Sequence, residues 1–218
     1  MCNLYTTPGA AEIQRTWHVA SADLNQSWDE IVAPRRTGAF IRSTPGGQGR
    51  ALVTGPWGLI PWFAKEPKLA YSTNNARSEE LAFKASYKQP WVRGQRCIIP
   101  ASAFDEPCWE TGKNVWWRFA RADGAPWGLA GLWNTWVHPA TGEVFESYTM
   151  LTINADEHPI MRRMHRPDPK LPADHQDKRS VIAIERGDVE LWLRASAPEA
   201  RALMRAPLLE TISAKPLQ

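Results

Sequence analysis

Between residues 51 and 185 the chain is a succession of short apolar runs punctuated by Gly, Pro and Asn. That pattern leaves room for many strands and for few long helices. Runs at 51–60, 95–104, 114–120, 126–136, 145–154 and 180–185 each have strand length. The partial alternation over 114–120 and 145–154 predicts strands with one buried face. The continuously apolar 181–184 predicts a strand buried on both.

Helices are expected to be short. Thr7 and Pro8, followed by Ile13 and Trp17 four residues apart, predict a helix over 8–20. Others are expected at 78–86, 156–164 and 188–194. Ser196, Pro198 and Glu199 form a capping-box pattern for a last helix ending before Pro207. The stretch after the first helix, to about residue 50, contains Arg35, Arg36, Pro45, Gly46, Gly47 and Gly49 and reads as an exposed basic loop. Residues 165–180, with three prolines and mixed charge, read as a functional loop. The expected fold is α+β: a single strand-rich domain over 1–218, with mainly antiparallel sheets curled into an open barrel or a sandwich. Short helices lie at its periphery, and 211–218 form a C-terminal tail.

Composition narrows the chemistry. A net charge of +3 permits a polyanionic partner without requiring one. Twelve Trp outnumber the 4 Tyr and 6 Phe together, so a very aromatic core or stacking surfaces are expected. No run of about 18 apolar residues and no basic segment leading into an apolar one occurs, which gives no membrane span or secretory signal and makes a cytoplasmic location the expectation. Cys2, Cys97 and Cys108 have no CxxC spacing, which argues for reduced thiols rather than a disulfide framework or a zinc site. Cys97 is expected to be buried and Cys108 exposed. Trp116, Trp117, Trp127 and Trp133 are expected in core or sheet packing. No metal or organic cofactor is indicated.

Cys2 is the most informative residue. Removal of Met1 would expose an α-amine and a thiol on adjacent atoms, with ordinary pKa values of ~7.7 and ~8.5. A usable fraction of the amine is then an uncharged nucleophile at neutral pH. A cysteine at an inert terminus fits this position alone equally well.

A series of short motifs decides more. Met1-Cys2-Asn3 is followed by Trp57-Gly58-Leu59-Ile60-Pro61-Trp62, Asn75-Ala76-Arg77-Ser78-Glu79 and Arg96-Cys97-Ile98-Ile99-Pro100. Then come Phe104-Asp105-Glu106, Ala130-Gly131-Leu132-Trp133, Leu151-Thr152 and Met164-His165. In content and order this resembles the SOS response-associated peptidase (SRAP) family, whose members crosslink to abasic sites in single-stranded DNA.

The resemblance implies that the Cys2 amine attacks the ring-opened sugar aldehyde and that the thiol closes a thiazolidine ring, shielding the lesion. It assigns Asn75 to orienting Cys2, Glu106 to acid/base work and His165 to proton transfer. It also assigns Arg77 and Trp62 to DNA contact. Arg166 beside His165, and Arg35 and Arg36 in the basic loop, are further candidates for phosphate. The implied partner is single-stranded DNA with abasic sites, met by a monomer that becomes nucleoid-associated on damaged DNA.

Departures from the family pattern are also present. Asn3 and Leu4 stand where Gly-Arg is usual, Asp105 and Pro107 flank Glu106, and Pro167 alters the path after His165. Asp105 would raise the pKa of Glu106 if the two carboxyls were close. Two other readings use the same residues: an N-terminal-nucleophile cysteine amidohydrolase and a non-covalent single-stranded DNA-binding module. Weaker is a thiol protease using Cys2 and His165.

Overall fold

The computed structural model describes residues 2–19 and 27–217. Strand β1 (Leu4–Thr6) leads into helix α1 (Ala10–Trp17), whose Ile13 and Trp17 are buried one turn apart. His18, in the left-handed region at φ 50°, ends that helix. The residues expected to form a basic loop instead contain β2 (Ile31–Val32) and β3 (Thr37–Ser43), and β3 pairs along its length with β4 (Arg50–Pro56). Then follow β5 (Asn75–Arg77), α2 (Ala85–Val92), β6 (Arg96–Ala101), β7 (Ala103–Cys108), β8 (Val115–Arg121), β9 (Trp127–Val137) and β10 (Val144–Asn154). The chain closes with β11 (Arg179–Val181), α3 (Val189–Arg194), α4 (Ala197–Ala202) and β12 (Ile212–Pro216).

The expected run at 95–104 is two strands, β6 and β7, which join different sheets. One sheet has five strands in the order β12-β8-β7-β1-β2. The other has seven, in the order β11-β10-β9-β6-β3-β4 with β5 added to β10. Pairing is antiparallel except between β5 and β10, where Asn75, Ala76 and Arg77 run parallel to Met150, Leu151 and Thr152. The sheets do not close into a barrel.

Period-two alternation explains why the larger sheet is so apolar. Phe40, Ile99, Leu129 and Tyr148 point into a core shared with Tyr5, Phe104 and Phe119 of the smaller sheet. Residues of the opposite parity on the same strands, Ile41, Ile98, Ala130 and Leu151, point the other way, into a second core with Ile13, Trp17 and Trp192 of the helices. A sheet covered on both faces needs apolar residues at consecutive positions, and β6 is buried at every one. The order is therefore small sheet, core, large sheet, core, helices.

The capping box forms as expected: Ser196 and Glu199 bond reciprocally at the start of α4. The helix expected over 156–164 reduces to one 3₁₀ turn at Met161–Arg163. Nδ1 of His158 there accepts the amides of Ile160 and Met161, at 3.2 and 3.0 Å, in place of backbone carbonyls. The segment expected as a tail from 211 contains β12, which pairs with β8 from Ile212↔Arg121 to Pro216↔Trp117. Cys97 is buried. Cys108, expected outside, is buried too, because it ends β7 on the same inward face as Phe104 and Glu106 and is bridged by Met164. Trp127 is fully buried and Trp133 is partly covered by the Arg42 guanidinium. Trp116 is exposed, because alternation along β8 turns Trp117 and Phe119 inward and leaves Trp116 outside. No helix among the described residues is long and apolar enough to cross a membrane.

Candidate active site

Cys2 lies two residues ahead of Leu4, the first residue of β1, the strand between β7 and β2, and its side chain is fully enclosed. Asn75 opens β5 on the other sheet. Its Nδ2 donates to the Cys2 carbonyl at 2.6 Å, and its own carbonyl accepts from the Tyr87 hydroxyl at 3.0 Å. Asn74 reaches the neighbouring residue, donating to Oδ1 of Asn3 at 3.2 Å. The chain start is thus moored across the gap between the two sheets.

Glu106 lies on the inward face of β7 and is almost wholly buried. Its Oε2 is 2.8 Å from Nε2 of His165. With the carboxylate ionised, the imidazole nitrogen is the donor. His165 adopts a left-handed backbone, φ 63°, uncommon outside glycine. Its amide donates to the Pro107 carbonyl at 2.6 Å. Pro107, which lacks an N–H of its own, lies beyond the residues of β7 that pair with β1, so it removes no bond from that ladder.

Three polar atoms of this group are buried with no hydrogen-bond partner among the described residues: Oδ1 of Asn75, Oε1 of Glu106 and Nδ1 of His165. When Nε2 carries the imidazole proton, all three are acceptors. A buried acceptor left without a donor costs ~1–3 kcal/mol. The cluster therefore suits a ligand rich in N–H and O–H groups.

Burial pushes the Cys2 thiol well above its ordinary pKa, and the Glu106 charge pushes it further. The sulfur is thereby held as S–H, 3.5 Å from the Leu4 carbonyl. Asp105 does not crowd Glu106. It points to the opposite face of β7, where Arg118 holds both its oxygens at 2.9 Å. Strand alternation separates the two carboxyls that the sequence places side by side.

The candidate DNA-contacting residues are spread more widely. Arg77, two positions beyond Asn75 on β5, is half-exposed and pairs with Asp177 at 2.6 Å. Trp62 is 61% exposed and shares an apolar groove with Phe83 and Val92, rimmed by Lys88 and Arg93. Arg35 donates to the Leu69 carbonyl at 3.0 Å and borders a second groove with Tyr71 and Phe145. Arg36 holds Asp29 in a two-bond ion pair, 2.9 and 3.1 Å. Arg166 lies 5.2 Å above the ring of Trp109, and Trp109 lines the same cleft as His165.

Asp177 and Lys178 were not among the expected site residues. Lys178 is buried, and its ammonium donates to the carbonyls of Met164 at 2.8 Å and His165 at 2.6 Å. The available signal was a pair of charges, Lys178 and Arg179, just ahead of the apolar run 181–184, of which only Val181 belongs to β11.

The model of the SOS response associated peptidase (SRAP) family matches residues 1–218. The chain belongs to this family. Among SRAP relatives it is 32% identical over 130 residues to the abasic site processing protein HMCES of Xenopus tropicalis, across 50% of this chain and 38% of that one. It is also 32% identical over 125 residues to the abasic site processing protein YoaM of Bacillus subtilis, across 56% and 52%. The chain thus spans about half or less of the length of these curated relatives. A crystal structure of a Bordetella bronchiseptica protein matches it at a TM-score of 0.86 and 36% identity, covering 100% of both chains. Another, from Bacteroides thetaiotaomicron, matches at 0.78 and 19% identity, covering 100% of this chain and 92% of the other, and speaks for the fold alone.

Proposed function

We propose that this SRAP chain recognises abasic sites in single-stranded DNA as a monomer and, once Met1 has been removed, attaches covalently to them through Cys2. The observation that carries this reading is the set of unpartnered buried acceptors on Asn75, Glu106 and His165, grouped around a chain start that Asn75 itself holds. A freed α-amine and the hydroxyls of an opened deoxyribose supply the donors that such a set calls for. The names of the HMCES and YoaM relatives support the same class of substrate.

In this mechanism the Cys2 amine adds to the sugar aldehyde, giving a carbinolamine that loses water to become an imine. The carboxylate of Glu106 takes a proton from the Cys2 ammonium, freeing the amine that attacks. His165, its Nε2–H bonded to Glu106, takes a proton at Nδ1 from the nitrogen of the adduct and passes it to the departing oxygen. The thiol then adds across the C=N bond: sulfur bonds to carbon, and the S–H proton ends on nitrogen. A thiol kept protonated by burial suits this step, because the nitrogen needs that proton. Closure of a five-membered ring within one residue gains from proximity, so the adduct outlasts a simple imine. Arg77 and Arg166 would neutralise phosphates, with Arg35 and Arg36 further along the strand, and Trp62 would stack on a base at ~1–3 kcal/mol without sequence preference.

Intact-mass spectrometry with an abasic oligonucleotide tests the reading. The expected mass is that of the chain lacking Met1 plus the oligonucleotide, less one water. Cys2→Ser should abolish the heat-stable adduct while retaining salt-sensitive binding to undamaged strand. A Ser variant that crosslinks as fully as the parent, or a mature protein that keeps Met1, would overturn it.

A further inference from the structure

The proton-transfer pair of the preceding section depends on a histidine held in an unfavourable backbone conformation, so what holds it there bears on the reaction. His165 sits at φ 63°, a region that costs an L-residue about 1–2 kcal/mol. Two bonds fix that residue's main chain. Its N–H is tied to Pro107, one residue beyond Glu106 on β7, and its C=O receives the Lys178 ammonium at 2.6 Å. The same ammonium takes the Met164 carbonyl at 2.8 Å, and Met164 bridges to Cys108 at the end of β7.

Lys178 is itself anchored. Its amide donates to Oδ1 of Asp156 at 2.8 Å, and its carbonyl accepts from Ala155 at 2.7 Å. Yet its side chain, in a residue only 7% exposed, has no carboxylate in ion-pair contact among the described residues. A buried ammonium bonded to two carbonyls, with the Asp156 carboxylate acting on it from beyond contact distance, is a costly way to fill space, and a methionine would fill it at less cost. What the ammonium adds is a fixed point for two consecutive carbonyls.

We infer that Lys178 is a positioning residue for the crosslinking reaction: by clasping the carbonyls of Met164 and His165 it holds His165 in its left-handed turn and so keeps the imidazole on Glu106. It touches neither the sugar nor Cys2 and acts through His165. The inference rests on the abasic-site reading for its kinetics, but its structural half does not.

The test therefore has two parts. The first needs no DNA: the ¹⁵N resonances of the His165 imidazole, measured in the parent and in Lys178→Met, should lose the signature of an Nε2–H bonded to a carboxylate. Unchanged imidazole resonances would overturn the inference whatever the substrate proves to be. The second is the rate of adduct formation on an abasic oligonucleotide, expected to fall about 10- to 100-fold in Lys178→Met, the scale of a misplaced catalytic group. Binding to undamaged single strand should stay within about twofold of the parent, and Lys178→Arg, with several N–H donors, should recover part of the rate.

In a His165→Ala background, Lys178→Met should slow the reaction no further. An equal loss with or without the imidazole would show that Lys178 serves the fold alone and would overturn the inference. If Lys178→Met does not fold, Lys178→Gln and the Arg variant carry the same comparison. If the parent itself forms no adduct, the abasic-site reading falls, and the imidazole resonances still decide the clasp.

Discussion

Asp177 occupies the Arg77 guanidinium, which the proposed function assigns to a DNA phosphate. Its Oδ2 lies 2.6 Å from Arg77, and its Oδ1 takes a second bond from Arg179 at 3.0 Å. An ion pair between half-exposed side chains is worth no more than ~1 kcal/mol, so a phosphate can displace it, but the displacement subtracts from affinity. Asp177→Asn removes the charge, and Asn tolerates the left-handed φ of 50° at this position as well as Asp does. The variant should bind undamaged single strand about two- to fivefold more tightly at low salt, with the gain fading as salt rises. Fluorescence anisotropy across a salt series measures this. No gain at any salt would mean that Arg77 does not meet phosphate. Such contacts mark the boundary of what a sequence discloses. Asn75, Glu106 and His165 stand out through short motifs, and the structure places the first on Cys2 and the last two on each other. Asp177 and Lys178 lie in the loop that reads from sequence as functional, yet neither stands out there, because what they do is set by partners 100 and 13 residues away.

Elements were legible where pattern and propensity agreed and missed where one residue type carried a special burden. Strands β8, β9 and β10 fall close to their expected spans because their apolar residues are dense and turns flank them. Helix α2 went unseen because Pro90 lies inside it, and proline ordinarily ends a helix. Strand β3 was hidden by Gly38 and by the arginines before it. That glycine has a specific use. A Cβ there would run into the hydroxyls of both Tyr5 and Tyr148, which bond to each other in the core between the sheets. Gly38→Ala should therefore cost about 1–3 kcal/mol by overpacking, although Ala has the better strand propensity. Urea denaturation would show this as a lower midpoint with an unchanged slope. A neutral result would mean that the tyrosine pair can shift aside without loss.

At the scale of the whole molecule, the candidate site is a seam. Glu106 belongs to the small sheet and Cys2 stands just ahead of its strand β1, whereas Asn75 belongs to the large sheet and His165 to the loop joining β10 to β11 of that same sheet. The proposed chemistry therefore requires that the sheets stay docked, and the core between them contains ionisable groups that burial keeps neutral. Burial pushes Tyr5, Tyr148 and Cys97 upward in pKa, and it does the same to Tyr87 at the edge of the second core. A group whose folded pKa lies above its unfolded value stabilises the fold fully below the unfolded value, and that contribution is lost as pH rises. The loss begins near pH ~8.5 for the cysteine and near ~10 for the tyrosines. Each group contributes at most 1.36 kcal/mol per pH unit, so the four together reach roughly 5 kcal/mol per unit above pH ~10. Against a usual stability of about 5–15 kcal/mol, that slope should unfold the protein cooperatively between roughly pH 10 and 12. The expected record is a step in which the tyrosinate absorbance of the three buried tyrosines rises as circular dichroism is lost, with the proposed adduct formation vanishing in the same step. Tyr5, Tyr87 and Tyr148 titrating gradually near pH ~10 in a chain that keeps its dichroism would show that solvent reaches them in the folded state, and that the seam is not sealed.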